Sequence, residues 1–178
     1  MSRLFPPCLR EGSLRLLTAA LTLATTSLAM AAPPPPPDEP VWSEIEVPAP
    51  PAFSTSQLVE IDMGPNVALK FGIDPKAVSI GADGVIRYVV VASSSSGVST
   101  GLYEGIRCAT GEVKTYARFN DGKWSTATAP EWRSLFSGAA TRHSLALARQ
   151  GACSDTSTPR SVDEMVRYMK NPRVGVAH

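Results

Sequence analysis

Nine of the 16 prolines in this 178-residue chain fall between Pro33 and Pro51, and Pro33 to Pro37 are consecutive. Proline locks φ near −65° and has no N–H to donate, so no helix interior or central strand can run through such a stretch. The fold must therefore be built from the residues after it. The stretch reads as an extended, semi-rigid spacer. A rod holding the domain away from a membrane, or a ligand for a proline-binding partner, competes with a plain linker, and the plain linker is the simpler reading.

Ahead of the prolines, Arg3, Arg10 and Arg15 give a positive start. An apolar run of 13 residues follows, Leu16 to Leu28, and then Ala29-Met30-Ala31. This is the three-part layout of a secretory signal peptide, with cleavage expected before Ala32. A bilayer core needs roughly 20 helical residues, so an uncleaved anchor is the weaker alternative and no transmembrane segment is expected after cleavage. The organisation expected is a signal peptide at 1–31, a Pro-rich linker at 32–52, a domain at 53–172 and a tail at 173–178.

Charge and metal-binding residues narrow the function. The chain has 17 basic and 16 acidic residues. Removing residues 1–31 takes away three arginines and Glu11, leaving 14 and 15, a net charge of −1. That excludes a basic nucleic-acid grip as the main device. Three cysteines and two histidines, widely scattered, do not form a zinc finger or haem-attachment motif. No metal or other cofactor is expected. Cys8 would leave with the signal. Cys108 and Cys153, in an exported chain, read as one disulfide; two free buried thiols are the alternative.

From Leu58 to Trp124 the chain has the grammar of an antiparallel sheet. Val78-Ser79-Ile80 enters Gly81-Ala82-Asp83-Gly84 and leaves through Val85 to Val91. An Asp-Gly pair between β-branched runs is a hairpin signal whose two central positions want φ > 0. Ser93 to Gly97 read as a flexible loop, and Asn120-Asp121-Gly122 as another turn. A two-residue Thr110-Gly111 turn would put Leu102, Ile106, Cys108, Val113, Ala117 and Phe119 on one face. Tyr103, Arg107, Lys114, Tyr116 and Arg118 would share the other. Keeping the apolar set together favours this register, with a glycine bulge as the competitor. Glu104 then sits on the apolar face, where it must lie at an edge, be paired, or signal a wrong register.

The last third reads as helical: a short helix over Pro130–Phe136, a second over Arg142–Gln150 stopped by Gly151, and a third opened by the capping box Ser161-Val162-Asp163-Glu164. Met165, Tyr168 and Met169 follow at helical spacing, as core. The expected fold is α+β: an antiparallel meander of about five strands, two or three C-terminal helices and one disulfide.

Two functional classes remain. Arginine and tyrosine on one sheet face suit anionic or sugar-like ligands. Tyr103, Arg107, Tyr116 and Arg118 are thus a candidate surface for an envelope protein, glycan or anionic headgroup, against a solvated face or one covered by the C-terminal helices. Catalysis has weaker support. His143 is the single histidine inside the domain, no Gly-x-Ser-x-Gly elbow is present, and no dense acidic loop offers calcium its ligands. A small hydrolase using His143 with Glu104 or Glu112 is the alternative, and it requires the pair to meet in a concave pocket.

Gly81-Ala82-Asp83-Gly84-Val85-Ile86-Arg87-Tyr88 and Tyr103-Glu104-Gly105-Ile106-Arg107-Cys108-Ala109-Thr110-Gly111-Glu112 closely resemble the cryptic neisserial protein family, a CNP1-like domain of exported bacterial proteins. Trp42-Ser43-Glu44, Asp121 to Ser125, Trp132-Arg133, Arg142-His143 and Cys153 extend the likeness over roughly 41–171. The resemblance implies an exported protein of a Gram-negative cell, periplasmic or secreted. It supports the Cys108–Cys153 bridge and carries over no catalytic residue. Members usually have proline after the second cysteine; here Ser154 stands there.

Overall fold

A computed structural model describes residues 41–65 and 67–171. The expected signal peptide, the first part of the expected linker and the tail lie outside the described residues.

Among the described residues, seven strands form one antiparallel sheet. Its main path is a meander, β1 (Val59–Ile61), β2 (Lys70–Ile80), β3 (Val85–Ser93), β4 (Ser99–Arg107), β5 (Glu112–Asn120) and β6 (Lys123–Thr126), each strand beside the next. The two-residue strand β7 (Arg133–Ser134) pairs with the start of β5. The meander is expected from the turn signals; the additional strands are short ones at its margins. Helix α1 (Arg142–Leu147) runs into a π-type turn at Ala148–Ala152, and α2 (Val162–Lys170) closes the domain.

The turns show how local chemistry decides strand geometry. Asn120 faces Lys123 across a two-residue turn in which Asp121 and Gly122 both take positive φ, 50° and 78°. That is the twist-matched hairpin turn. The Asp83-Gly84 turn differs from expectation. Ile80 pairs with Ile86, the connection is wider than two residues, and only Gly84 takes positive φ. Asp83 is freed for other bonds, and its carboxylate accepts the Val85 N–H.

The β4–β5 register also corrects the expected one. Arg107 faces Glu112, so Cys108–Gly111 is a four-residue loop closed by the Gly111 N–H on the Cys108 carbonyl at 3.2 Å. A slip of two residues preserves side-chain parity, so Ile106, Cys108 and Val113 still share a face. Between Tyr103 and Glu104 the pairing jumps from Ala117 to Thr115, leaving Tyr116 as the extra residue of a bulge. Beyond the bulge the parity reverses. Ala117 and Phe119 therefore lie on the Tyr103 face, and Arg118 turns to the Leu102 face, where it is exposed. A second irregularity in β2, between Ile73 and Val78, takes up Pro75, which cannot donate to a ladder.

Each sheet face has its own core. Val59, Ile61, Ile73, Ile86, Val90, Ile106 and Val113 pack under Leu147, Ala152, Met165 and Met169 of the helical segment. On the reverse face, Ala77, Val89, Val91, Tyr103, Tyr116 and Ala117 pack under Val47, Phe53 and Leu58. Residues 41–58, with no helix or strand of their own, thus cover one side of the sheet. The part of the expected linker that is described, 41–52, belongs to this cover.

The helical third is partly as expected. In α2, Ser161 Oγ accepts the Glu164 N–H, while the Glu164 carboxylate accepts the Arg160 N–H, one residue before the cap. Gly151, at φ 139°, ends the α1 segment. Pro130–Phe136 is not helical: the edge of β5 at Glu112 and Val113 is open, and Arg133–Ser134 takes it as β7. Cys108 and Cys153 are bonded, with Cα atoms 5.6 Å apart. The next residue, Ser154, donates its N–H to the Ser157 carbonyl at 2.9 Å.

The bridge closes a loop with a sequence separation of 45, worth about 4 kcal/mol in the chain-entropy account. The Cys108→Ser/Cys153→Ser protein should lose about that much in urea unfolding, with α2 and the 148–160 segment becoming the first region to exchange amide hydrogens.

Candidate functional site

Two buried polar clusters lie on opposite faces of the sheet. The first centres on Glu104 in β4, 3% exposed on the helix-covered face. Its Oε2 accepts from Tyr88 Oη, His143 Nε2 and Ser144 Oγ, each at 3.0 Å, and its Oε1 accepts from Thr115 Oγ1 at 3.0 Å. A carboxylate only accepts, so His143 carries its hydrogen on Nε2 here. Phe71 stacks flat on the imidazole, ring centroids 5.1 Å apart and planes 2° apart. Burial alone would raise the carboxyl pKa; the donors from His143, Tyr88 and Ser144 outweigh it and hold the group below its ordinary range. The same burial, with the carboxylate opposite, drives the Tyr88 phenol well above its ordinary value.

Of the candidate catalytic residues, then, His143 and Glu104 meet, as the hydrolase alternative required. They do not meet in an open pocket among the described residues: His143 is 6% exposed, Ser144 and Tyr88 are fully buried, and none of them lines the open cleft beside the disulfide. Glu112 is elsewhere. It accepts from Thr110 Oγ1 at 2.6 Å and lies 3.9 Å from Arg107. Among the described residues no group of three or more His, Cys, Asp or Glu is placed to hold a metal ion.

The second cluster pins residues 42–45 to the other face. Glu44 accepts from Lys114 Nζ at 2.7 Å, Tyr116 Oη at 2.6 Å and Arg87 Nη2 at 3.4 Å. Arg87, 1% exposed in a central strand, forms a two-pronged pair with Asp83 at 2.7 and 3.2 Å. Asp83 also accepts the Ile45 N–H, and its carbonyl accepts Trp42 Nε1 at 2.9 Å. The Arg107 guanidinium lies over the Trp42 ring, 3.7 Å from its centroid, and Trp132 packs against Trp42 edge-to-face with centroids 6.0 Å apart. Burial opposes the charge on Glu44 and on Asp83, yet their basic and N–H partners pull both carboxyls below the ordinary range. Tyr116 is pushed up by burial and by its bond to the Glu44 carboxylate.

Gly105 makes this cluster possible. A Cβ there would run into the Tyr116 phenol and come within 2.9 Å of Val85, so Tyr116 crosses above a bare backbone to reach Glu44.

The expected Tyr103, Arg107, Tyr116 and Arg118 surface is therefore not an open one. Tyr103 and Tyr116 are buried beneath the N-terminal segment, 2% and 6% exposed, Arg107 is stacked on Trp42, and Arg118 faces the other way beyond the bulge. The cover comes from the N-terminal segment, not the C-terminal helices. Alternation and motif spacing gave no role to Trp42, Glu44, Arg87 or Trp132, and gave Asp83 only its place in a turn. One signal was available: Arg87 interrupts a β-branched run that a central strand must bury, and a buried guanidinium needs carboxylates.

An open cleft of about 1220 Å³ lies beside the disulfide, lined by Cys108, Leu135, Phe136, Arg149, Thr158 and Arg160 among others. Phe136 is 70% exposed at its rim and faces the Arg149 guanidinium.

The architecture defines a disulfide-stapled α+β domain, an antiparallel meander clasped by helices on one face and an irregular N-terminal segment on the other. The chain belongs to the CNP1-like family, whose model matches residues 37–170. No curated protein and no solved structure matches it.

Glu104 supplies a pH test. Its folded pKa lies below the ordinary value of 4.5, so its contribution is complete above that value and is lost as pH falls through the lower folded one. Glu104→Gln should cost about 2 kcal/mol at pH 7. It should also flatten the acid limb of a stability–pH curve measured by urea unfolding.

Proposed function

We propose that this is an exported protein of the bacterial cell envelope, periplasmic or secreted, acting as a non-catalytic binding or structural module. One observation carries the non-catalytic half. The acid–base constellation Glu104–His143–Ser144 is roofed over, with its carboxylate committed to internal donors. A general base must reach the proton it takes from a substrate, and His143 is closed off from solvent. The network instead docks α1 on the sheet.

Export is supported by the signal-like residues 1–31 and by the disulfide, a bond that persists in oxidising compartments. The partner class is an envelope component: a protein, a glycan or an anionic headgroup. The cleft beside the disulfide, with exposed Phe136, Arg149 and Arg160, is the open surface that suits such a contact.

Expressed in a Gram-negative host, the full chain should fractionate with the periplasm, start at Ala32 and show no alkylatable thiol by mass spectrometry. Retention in the cytosol with reduced cysteines would overturn export. On a panel of chromogenic esters and glycosides, turnover that disappears in His143→Ala would overturn the non-catalytic reading.

A further inference from the structure

The groove that holds residues 42–53 is a peptide-binding site in its construction. It offers two cations and a phenol for a carboxylate, Lys114, Arg87 and Tyr116 on Glu44. Two residues earlier in the bound segment it offers Arg107 and Trp132 to the Trp42 indole. At the far end, Phe53 packs against Phe119 and Trp124, with centroids at 5.1 and 5.8 Å. Gly101 leaves room there, since a Cβ would sit 3.1 Å from the Phe53 ring.

The bound segment is attached through its side chains and not through its backbone. Among the described residues, 41–57 make no backbone–backbone hydrogen bond in a turn or loop, and none of them lies in a strand ladder. What holds them is side-chain recognition, plus the Ile45 N–H on Asp83 and the Ser54 N–H on Asp74. Immediately after this last contact, Thr55, Ser56 and Gln57 are polar and exposed before β1 begins at Val59. Pro48, Pro50 and Pro51 stiffen the segment, so it keeps an extended form when detached and loses little entropy on binding.

From these features we infer that the groove also accepts residues 42–53 of a second copy of this chain, the two copies exchanging arms about the hinge at Thr55–Gln57. An exchanged arm remakes every contact of the closed one, which is what makes swapping a low-cost route to dimers. The seated segment is the evident occupant, because its indole, carboxylate and phenyl already match the three subsites. Arm exchange is independent of where the protein works and of whether it is catalytic.

Complementation between two full-length variants tests it. Trp42→Ala/Glu44→Gln spoils the arm and leaves the groove. Arg107→Ala/Lys114→Met spoils the groove and leaves the arm. Each alone should sediment as a monomer, and a mixture should give a 1:1 heterodimer by native mass spectrometry. A mixture that stays monomeric while both variants keep the disulfide and the wild-type circular dichroism overturns the inference. A labelled synthetic peptide of residues 41–54 should bind the arm-spoiled chain about tenfold more tightly than wild type, because the closed arm competes for the groove. Adding Lys114→Met should abolish that binding; binding that survives Lys114→Met overturns the inference. Should the double variants misfold, hydrogen exchange on wild type decides. The Ile45 amide should exchange about a hundredfold faster than the Val89 and Val90 amides, reflecting local opening of the arm. Equal protection overturns the exchange.

Discussion

A single buried carboxylate organises the helical side of this protein. Glu104 stands in a central strand, on the face that meets the apolar core, and a bare charge there would cost several kcal/mol. Four donors answer it, from Tyr88 on β3, Thr115 on β5, and His143 and Ser144 on α1. Because two of the four come from α1, that helix has one place to sit. Leu147 and Ala152 then land on the sheet core, and Cys153 arrives beside Cys108. The disulfide staples a geometry that the polar network has already specified.

The opposite face repeats the logic with the charges reversed. Arg87 is buried in β3 and needs carboxylates; Asp83, freed by the form of its turn, supplies one, and Glu44 reaches over from the N-terminal segment to supply the second. Many of the residues that carry the family likeness therefore have structural work: Trp42, Glu44, Asp83, Arg87, Arg107 and Trp132 are one clasp. Gly105 keeps the path open for Tyr116, and Cys108 begins the loop that the disulfide ties down. A motif this dense is spent on internal contacts.

Strand order, the Asn120–Lys123 turn, the α2 cap and the cysteine pairing were legible in the sequence, because each depends on neighbours in the chain or on the small number of cysteines. Glu104 was legible as an anomaly, and pairing was among its possible resolutions. The Tyr116 bulge was not legible. It goes with the bond from Tyr116 to Glu44, a residue 72 positions away, and it alone moves Ala117, Arg118 and Phe119 to the faces opposite those that strict alternation assigns. β7 was missed for a related reason. Pro130–Phe136 has helix-compatible composition, but an open edge on β5 offered backbone partners that local propensity does not weigh.

Alternation, turn residues and cysteine count were enough to determine an α+β meander with one covalent staple, since these are short-range or combinatorial properties of the chain. Only the tertiary structure decided that the arginine–tyrosine face lies beneath the chain's own N-terminal segment, and that His143 is a buried strut. Both outcomes turn on which distant group satisfies a buried charge, and that choice exists only once the chain has closed on itself.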